Sequence, residues 1–224
     1  MQPCMEKRMT LHASPRQTNR PPRLNAADWT EEALEVLVHE GIGAVQITAL
    51  ARRLNVTRGS FYWHFDSRDA LLDALLAEWR ARNTGVMMGA IADTDRLDDG
   101  ILALFSVWVD HSRFHADLDQ AIRDWARRDA ALRKAVKAED EARVTAIAGF
   151  FERHGYATQE AYIRARVIYF TQISYHALRM EDDETLTERL GYLEEYFLCF
   201  TGRRINPDIA AAHRAAHLTE TTDE

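Results

Sequence analysis

The sequence predicts an all-α fold, and three observations carry that expectation. No proline lies between Arg23 and Asn206, so this span is free to be almost continuous helix. Apolar residues recur there at steps of three and four, while long alternating β-branched runs are missing. A chain of 224 residues, 46% of them hydrophobic, can bury a sizeable core as one domain or two small ones.

Composition narrows the setting. Cys4 and Cys199 form neither a disulfide framework nor a metal spacing, so reduced thiols are expected. No window approaches the ~18 consecutive apolar residues needed to span a bilayer. The first residues, MQPCMEKRMTLHASPRQTNRPPR, hold no apolar run of the secretory kind. A cytoplasmic protein with no membrane partner is the expectation.

Net charge is −7, yet its distribution matters more than its sum. Residues 1–15 carry two basic and one acidic group, and residues 16–82 carry nine of each. Residues 83–224 carry 17 basic and 25 acidic groups, so the acidity sits in the C-terminal part. The N-terminal arginines cluster as Arg16, Arg20 and Arg23, then Arg52, Arg53, Arg58 and Arg68. A local basic surface on an acidic body suits a protein that holds nucleic acid at one end.

In chain order, residues 1–22 are polar, proline- and arginine-bearing and aperiodic, and are expected to be a disordered arm. Such an arm either follows DNA phosphates or is inert. A first helix follows, with Asp28-Trp29-Thr30-Glu31 as its capping box, an inward face of Trp29, Ala33, Leu34, Leu37 and Val38, and Gly41 as its end. Residues 46–65, inside QITALARRLNVTRGSFYWHFDSR, then read as two short helices hinged at Asn55-Val56. Asn tolerates the left-handed corner, and Thr57 is a suitable N-cap for the second helix. Leu50, Ala51, Leu54, Val56, Phe61 and Phe65 are spaced to pack the pair together. Arg58, Gly59, Ser60, Tyr62, Trp63 and His64 are left outward, donors and aromatics beside a bare backbone, as a helix entering a DNA groove requires. Ser67 caps a further helix from Arg68 to Ala81. Arg68 in its first turn opposes the macrodipole unless a phosphate, Asp66 or Asp69 lies near it.

Residues 27–79 resemble the DNA-binding domain of the TetR family of transcriptional regulators. The resemblance is carried by the helix from Trp29 to Gly41, by LARRLNVTRGSFYWHF and by DSRDALLDALL. More loosely, AIRDWARRDAALRKAV resembles a stretch of the family's ligand-binding domains. It implies that Thr48, Thr57, Arg58, Ser60, Tyr62 and His64 face DNA and that Arg68 takes a phosphate-contacting place. Gly59 and Trp63 complete the expected DNA-facing set. One departure is Gln46, which stands where family members place Ser or Thr, so the cap of the first motif helix is in question.

Residues 83–96, with glycines and short polar side chains, read as a connection between domains. The expected boundaries are therefore an arm over 1–22, a helix-turn-helix domain over 23–83, a helical effector-binding and dimerisation domain over 84–206, and a tail over 207–224. In the third of these, residues 186, 190, 193, 197 and 200 form an a/d seam, and the preceding helix offers Ile163, Val167, Phe170, Ser174 and Leu178. Together with Leu186, Leu190, Leu193, Phe197 and Phe200, these are the expected dimer interface; packing within one subunit is the alternative. The resemblance implies an effector pocket among Trp108, His111, Phe114, Trp125, Phe150, Phe151, Tyr169 and Tyr175, which by spacing alone are mostly core aromatics. His111 and His115 lie four apart, but no third ligand follows at metal-site spacing.

The expected function is a homodimeric one-component transcriptional regulator, a ligand-responsive repressor of a palindromic double-stranded DNA operator, with an unknown small-molecule effector and no cofactor. A helical adaptor that binds no DNA and a helical-bundle enzyme are the alternatives. The enzyme reading lacks a nucleophile elbow, a phosphate loop, a zinc motif or paired glutamate-x-x-histidine elements.

Overall fold

The computed structural model describes residues 24–92, 94–110 and 112–220. The expected arm over 1–22 and His111 lie outside the described residues. Among the described residues every regular element is helical, in keeping with the all-α expectation.

Helix α1 spans Ala26–Glu40. Its cap is Asn25, whose side chain accepts from the amides of Ala27 and Asp28 while Asp28 accepts from the Asn25 amide. The capping box thus lies three residues earlier than expected, with Asp28 closing it rather than opening it. Gly41 ends the helix at φ +80°, a conformation that side chains disfavour.

Helices α2 (Ile47–Arg53) and α3 (Arg58–Phe61) are joined by a Schellman-type corner. The Val56 amide donates to Ala51 O, the Asn55 amide to Arg52 O, and Asn55 takes the left-handed φ of 55°. Helix α4 (Arg68–Trp79) begins at Ser67, whose side chain accepts from the Ala70 amide.

The expected connection over 83–96 is mostly helix. A π turn, Arg80–Gly85, runs on from α4 into α5 (Val86–Ala92). The short polar residues that suggested a loop are used internally. Asn83 is buried and donates to His115 O at 3.0 Å; Thr84 donates to Glu139 and accepts from Arg143. The Thr84 hydroxyl and the Asn83 amide nitrogen are satisfied in this way, while Asn83 Oδ1 makes no hydrogen bond.

The remaining helices are α6 (Leu97–Val109), α7 (Ala116–Ala126), α8 (Ala130–Arg153), α9 (Thr158–Ala177), α10 (Leu186–Gly191), α11 (Leu193–Thr201) and α12 (Pro207–Glu220). Residues 207–220, expected as tail, form α12, with Pro207 at its first position and Ala210 buried. Arg214 ties α12 to Glu194 at 3.2 Å.

Two hydrophobic cores form, and the chain crosses between them. The first gathers Trp29, Phe61, Leu71 and Trp79 of α1–α4 with Leu118 and Ile122 of α7 and Leu132 of α8. The second gathers α5, α6, the latter half of α8, α9 and α11 around Ile101, Phe150, Ile168 and Phe197. Gly100 lets α6 approach α8, because a Cβ there would come within 2.3 Å of the Phe150 ring. Helix α7 therefore belongs by packing to the N-terminal core, although it follows α6 in sequence.

The a/d seam is a second correction. Leu190, Leu193, Phe197 and Phe200 are buried in the chain's own core, and Leu186 is half-buried. The periodicity is satisfied within the subunit, by α9 and α12, so these four are not available to a partner. By contrast Ile163, Val167, Phe170, Ser174 and Leu178 are exposed along one face of α9.

Candidate nucleic-acid interface

The edge running from Thr57 to Trp63 is built on one anchored ring. Phe61 is 0% exposed, edge-on to Trp29 at 5.2 Å and stacked with Phe65 at 5.5 Å. With Phe61 and Val56 turned inward, α3 must present its other residues outward. Thr57, Arg58 and Gly59 are exposed, Ser60 is half-buried, and Tyr62 is half-exposed. Trp63 is 87% exposed, although removing an indole from water is strongly favourable.

Arg58 and Tyr62 work as a pair. Arg58 Nη2 donates to the Tyr62 hydroxyl at 3.1 Å, and the guanidinium lies 5.9 Å from the ring centroid. The contact holds the arginine over the outward face and reduces the rotamer freedom it loses on binding. The α geometry itself is short. Beyond Phe61 the chain continues as turns, with Trp63 and His64 donating to Ser60 O and Phe61 O.

Other expected DNA-facing residues stand as follows. Thr48 is exposed in the first turn of α2, where Gln46 holds the cap position without a side-chain cap bond and instead donates to Gly43 O. Thr57 has the extended backbone of an N-cap, but its hydroxyl makes no cap bond, so that part of the expectation fails. His64 is half-buried rather than fully outward. At Gly59 a Cβ would meet only Thr57 Oγ1, at 3.7 Å, so nothing within the chain demands a glycine there.

Two of the clustered arginines are committed elsewhere. Arg53 is ion-paired with Glu32 and Glu40 of α1. Arg68 donates through Nε to Val45 O at 2.7 Å and through Nη2 to Ile42 O at 3.1 Å, clamping the turn between α1 and α2. Those carbonyls, rather than Asp66 or Asp69, supply the negative partners its position in α4 calls for. The basic surface inferred from composition therefore shrinks to Arg52 and Arg58 among these four.

The aromatic set expected around an effector is scattered. Trp125 packs with the N-terminal core, beside Leu37 and Val38. Phe150 and Phe151 fill the second core, and Phe114 stacks on His176 at 5.7 Å. Tyr169 is buried and donates to Asp140 at 2.6 Å, its hydroxyl pushed well above the usual tyrosine range by burial. Among the described residues of the set, Trp108 and Tyr175 line a recess, between α6, α9, α10 and α11, whose other walls include Phe105, Gln172, Arg189 and Tyr196. These last four were missed. Gln172 had a signal, a polar residue on the otherwise buried Ala161–Ala165–Ile168 stripe. His115 caps α7, its Nδ1 accepting from the Leu118 amide, and burial lowers its pKa.

Two helices crossing at a tight corner, with an anchored ring beneath and an outward Arg-Tyr-Trp edge, define a protein of the helix-turn-helix class. Residues 30–75 match the model described as "Bacterial regulatory proteins, tetR family". Tetracycline repressor protein class D of Escherichia coli is 35% identical over 72 residues, which is 32% of this chain and 33% of that one. The HTH-type transcriptional regulator SrpR of Pseudomonas putida is 43% identical over 47 residues, 21% of this chain and 22% of its own. The chain thus spans about a third or less of the length of the curated relatives it matches. Over nearly its whole length it shares a fold with AmtR of Mycobacterium smegmatis, at TM-score 0.55 and 21% identity, covering 91% of this chain and 98% of that one. The fatty acid degradation regulator FadR from Bacillus halodurans superposes at TM-score 0.59 and 16% identity, covering 84% and 100%. No described helix is long and apolar enough to cross a membrane.

Proposed function

We propose that the protein is a one-component transcriptional repressor that binds a palindromic operator as a homodimer and releases it when a small molecule binds. The observation that carries this reading is the Thr57–Trp63 edge, where Arg58, Tyr62 and Trp63 face solvent above a fully buried Phe61. Arg58 would donate to a guanine edge, Ser60 and Tyr62 to base edges or phosphate, and His64 to phosphate. The family match over residues 30–75 supports it. The protein is read as non-catalytic.

The dimer is supported by the exposed apolar face of α9. Ile163, Val167, Phe170 and Leu178 follow one another along it, and a second copy would bury them about a two-fold axis. Two reading edges would then meet two half-sites about one helical turn apart. Release is supported by the coupling between the cores. Trp79 at the end of α4 bonds to Asp119, Asp119 to Arg143, and Arg143 to Tyr169 on α9. A ligand shifts DNA affinity only by its differential affinity for the two arrangements.

Selection of bound duplexes from a random pool tests this, followed by footprinting of the selected site. Recovery of an inverted repeat protected over two adjacent turns is expected. Recovery of no enriched sequence would overturn the reading.

A further inference from the structure

Gln172 of α9 carries its whole carboxamide into the recess without a partner. The residue is 5% exposed, and neither Oε1 nor Nε2 makes a hydrogen bond. Trp108 of α6 lines the same recess at 7% exposure, and its Nε1 is likewise unpartnered. Buried polar groups are almost always hydrogen-bonded, since leaving them unmade forfeits their hydration. Three orphaned atoms around one cavity therefore describe an unfilled recognition set.

The cavity suits a flat molecule. Its cavity volume is about 70 Å³, room for several water molecules, and it opens to solvent at its mouth. Phe105, Tyr196 and Phe200 form an aromatic wall, with Tyr196 and Phe200 stacked at 5.5 Å and Phe105 and Phe200 at 6.0 Å. The charged groups at the recess have work already. Glu184 accepts from the Tyr175 hydroxyl at 2.7 Å, and Arg189 lies 5.1 Å from the Tyr175 ring centroid. His176 pairs with Glu181 at 3.3 Å.

We propose that this recess binds an uncharged, planar, ring-containing ligand with a hydrogen-bond acceptor beside a donor, the pattern of a lactam or an aromatic carboxamide. Gln172 Nε2 donates to the ligand carbonyl and Oε1 accepts its N–H. Trp108 Nε1 donates to a carbonyl lone pair, and the aromatic wall covers the ring face. A hydrocarbon would leave all three atoms orphaned. An anion would be desolvated against the neutral amide of Gln172, with Glu184 as well as Arg189 lining the recess. The inference names the effector chemistry of the regulator proposed above and rests on that reading for its regulatory meaning.

Calorimetric titration of the full chain separates the possibilities with three probes of one shape: 2-quinolone, naphthalene and 2-naphthoate. The expected result is 2-quinolone binding at least about ten-fold tighter than naphthalene, with Gln172→Leu abolishing that margin while naphthalene still binds. Equal affinities for quinolone and naphthalene in the unmodified protein would overturn the proposal. So would tighter naphthoate binding, or no binding of any probe, which would leave the recess to water. Operator affinity measured in parallel keeps the two readings apart. Quinolone binding that leaves DNA affinity unchanged removes the effector role and retains the site; quinolone binding by a protein that selects no DNA sequence removes the repressor reading alone.

Discussion

The indole N–H of Trp79 donates to the carboxylate of Asp119 across 2.8 Å, tying the helix that closes the N-terminal core to α7. Asp119 is buried, and it also accepts from Arg143 at 3.1 Å and Arg123 at 2.7 Å. Burial by itself would raise its carboxyl, but Arg143, Arg123 and the Trp79 bond together hold it below the usual carboxylate range. Arg123 continues the network to Asp140 and Tyr169. Four helices and the π turn are thus joined by one network, buried at Asp119 and Arg143 and partly exposed at Arg123 and Asp140.

Asp119→Asn leaves the Arg143 guanidinium buried without its counter-charge. A loss of about 3–5 kcal/mol is expected in urea unfolding at neutral pH. Because the folded carboxyl titrates below its unfolded value, its contribution is full above about pH 4 and is lost as pH falls further. Wild type and variant should converge in strong acid; a neutral-pH difference below about 1 kcal/mol would remove this role from Asp119.

Phe61 and Trp63, two residues apart, should separate stability from DNA affinity. Phe61→Ala removes the ring that Trp29 and Phe65 contact and should cost about 3–5 kcal/mol. Trp63→Ala, at an exposed site, should change stability by no more than about 0.5 kcal/mol while weakening operator binding. Thermal melts and gel-shift titrations on the same preparations check both; a Trp63→Ala protein with full DNA affinity would take that side chain out of the interface.

Arg58→Ala should weaken specific binding by about 1–3 kcal/mol and relax base preference at one position in each half-site. Repeating the duplex selection with the variant reads this directly. An unchanged consensus would reassign Arg58 to phosphate contact, which carries no sequence information.

A carboxylate on α9 and one on α11 should have different consequences. Val167→Asp lies on the exposed face and is expected to give folded monomers with weakened operator affinity. Leu193→Asp lies in the subunit's core and is expected to unfold it, since an unpaired buried charge has no compensation. Sedimentation together with circular dichroism distinguishes these, and an intact dimer in Val167→Asp would remove α9 from the interface.

Helix α12 should be sensitive to mild acid. Burial, then the neighbouring charges of His217 and Arg214, push His213 down to about 4. Below its unfolded value of about 6.5 the unfolded chain binds the proton and the folded chain does not. Stability is therefore expected to fall as pH drops from about 6.5 towards 4. Hydrogen exchange over residues 207–220 should accelerate in that window, and His213→Leu should flatten the response.

Much of the N-terminal unit was legible because its signals are local. Asn55 can take the left-handed corner whatever surrounds it, and Phe61 and Phe65 declare an inward face by their spacing alone. The seam at 190–200 was legible as a stripe, but a stripe does not say whether its partner is the same chain or another. Asn83 and Thr84 read as loop because their hydrogen-bond partners, His115 and Arg143, lie 32 and 59 residues away.

By itself the sequence determined the all-helical class, the helix-turn-helix corner and the outward placement of Arg58 and Tyr62, since all three follow from periodicity and backbone preference over a few residues. Only the tertiary structure decided which charges are spent at home and which polar atoms remain unmet. Arg53 and Arg68 turn inward to partners on other elements, α7 joins the first core, and Gln172 faces a recess made by four helices. Those outcomes depend on groups brought together across the chain, and one-dimensional spacing carries no record of them.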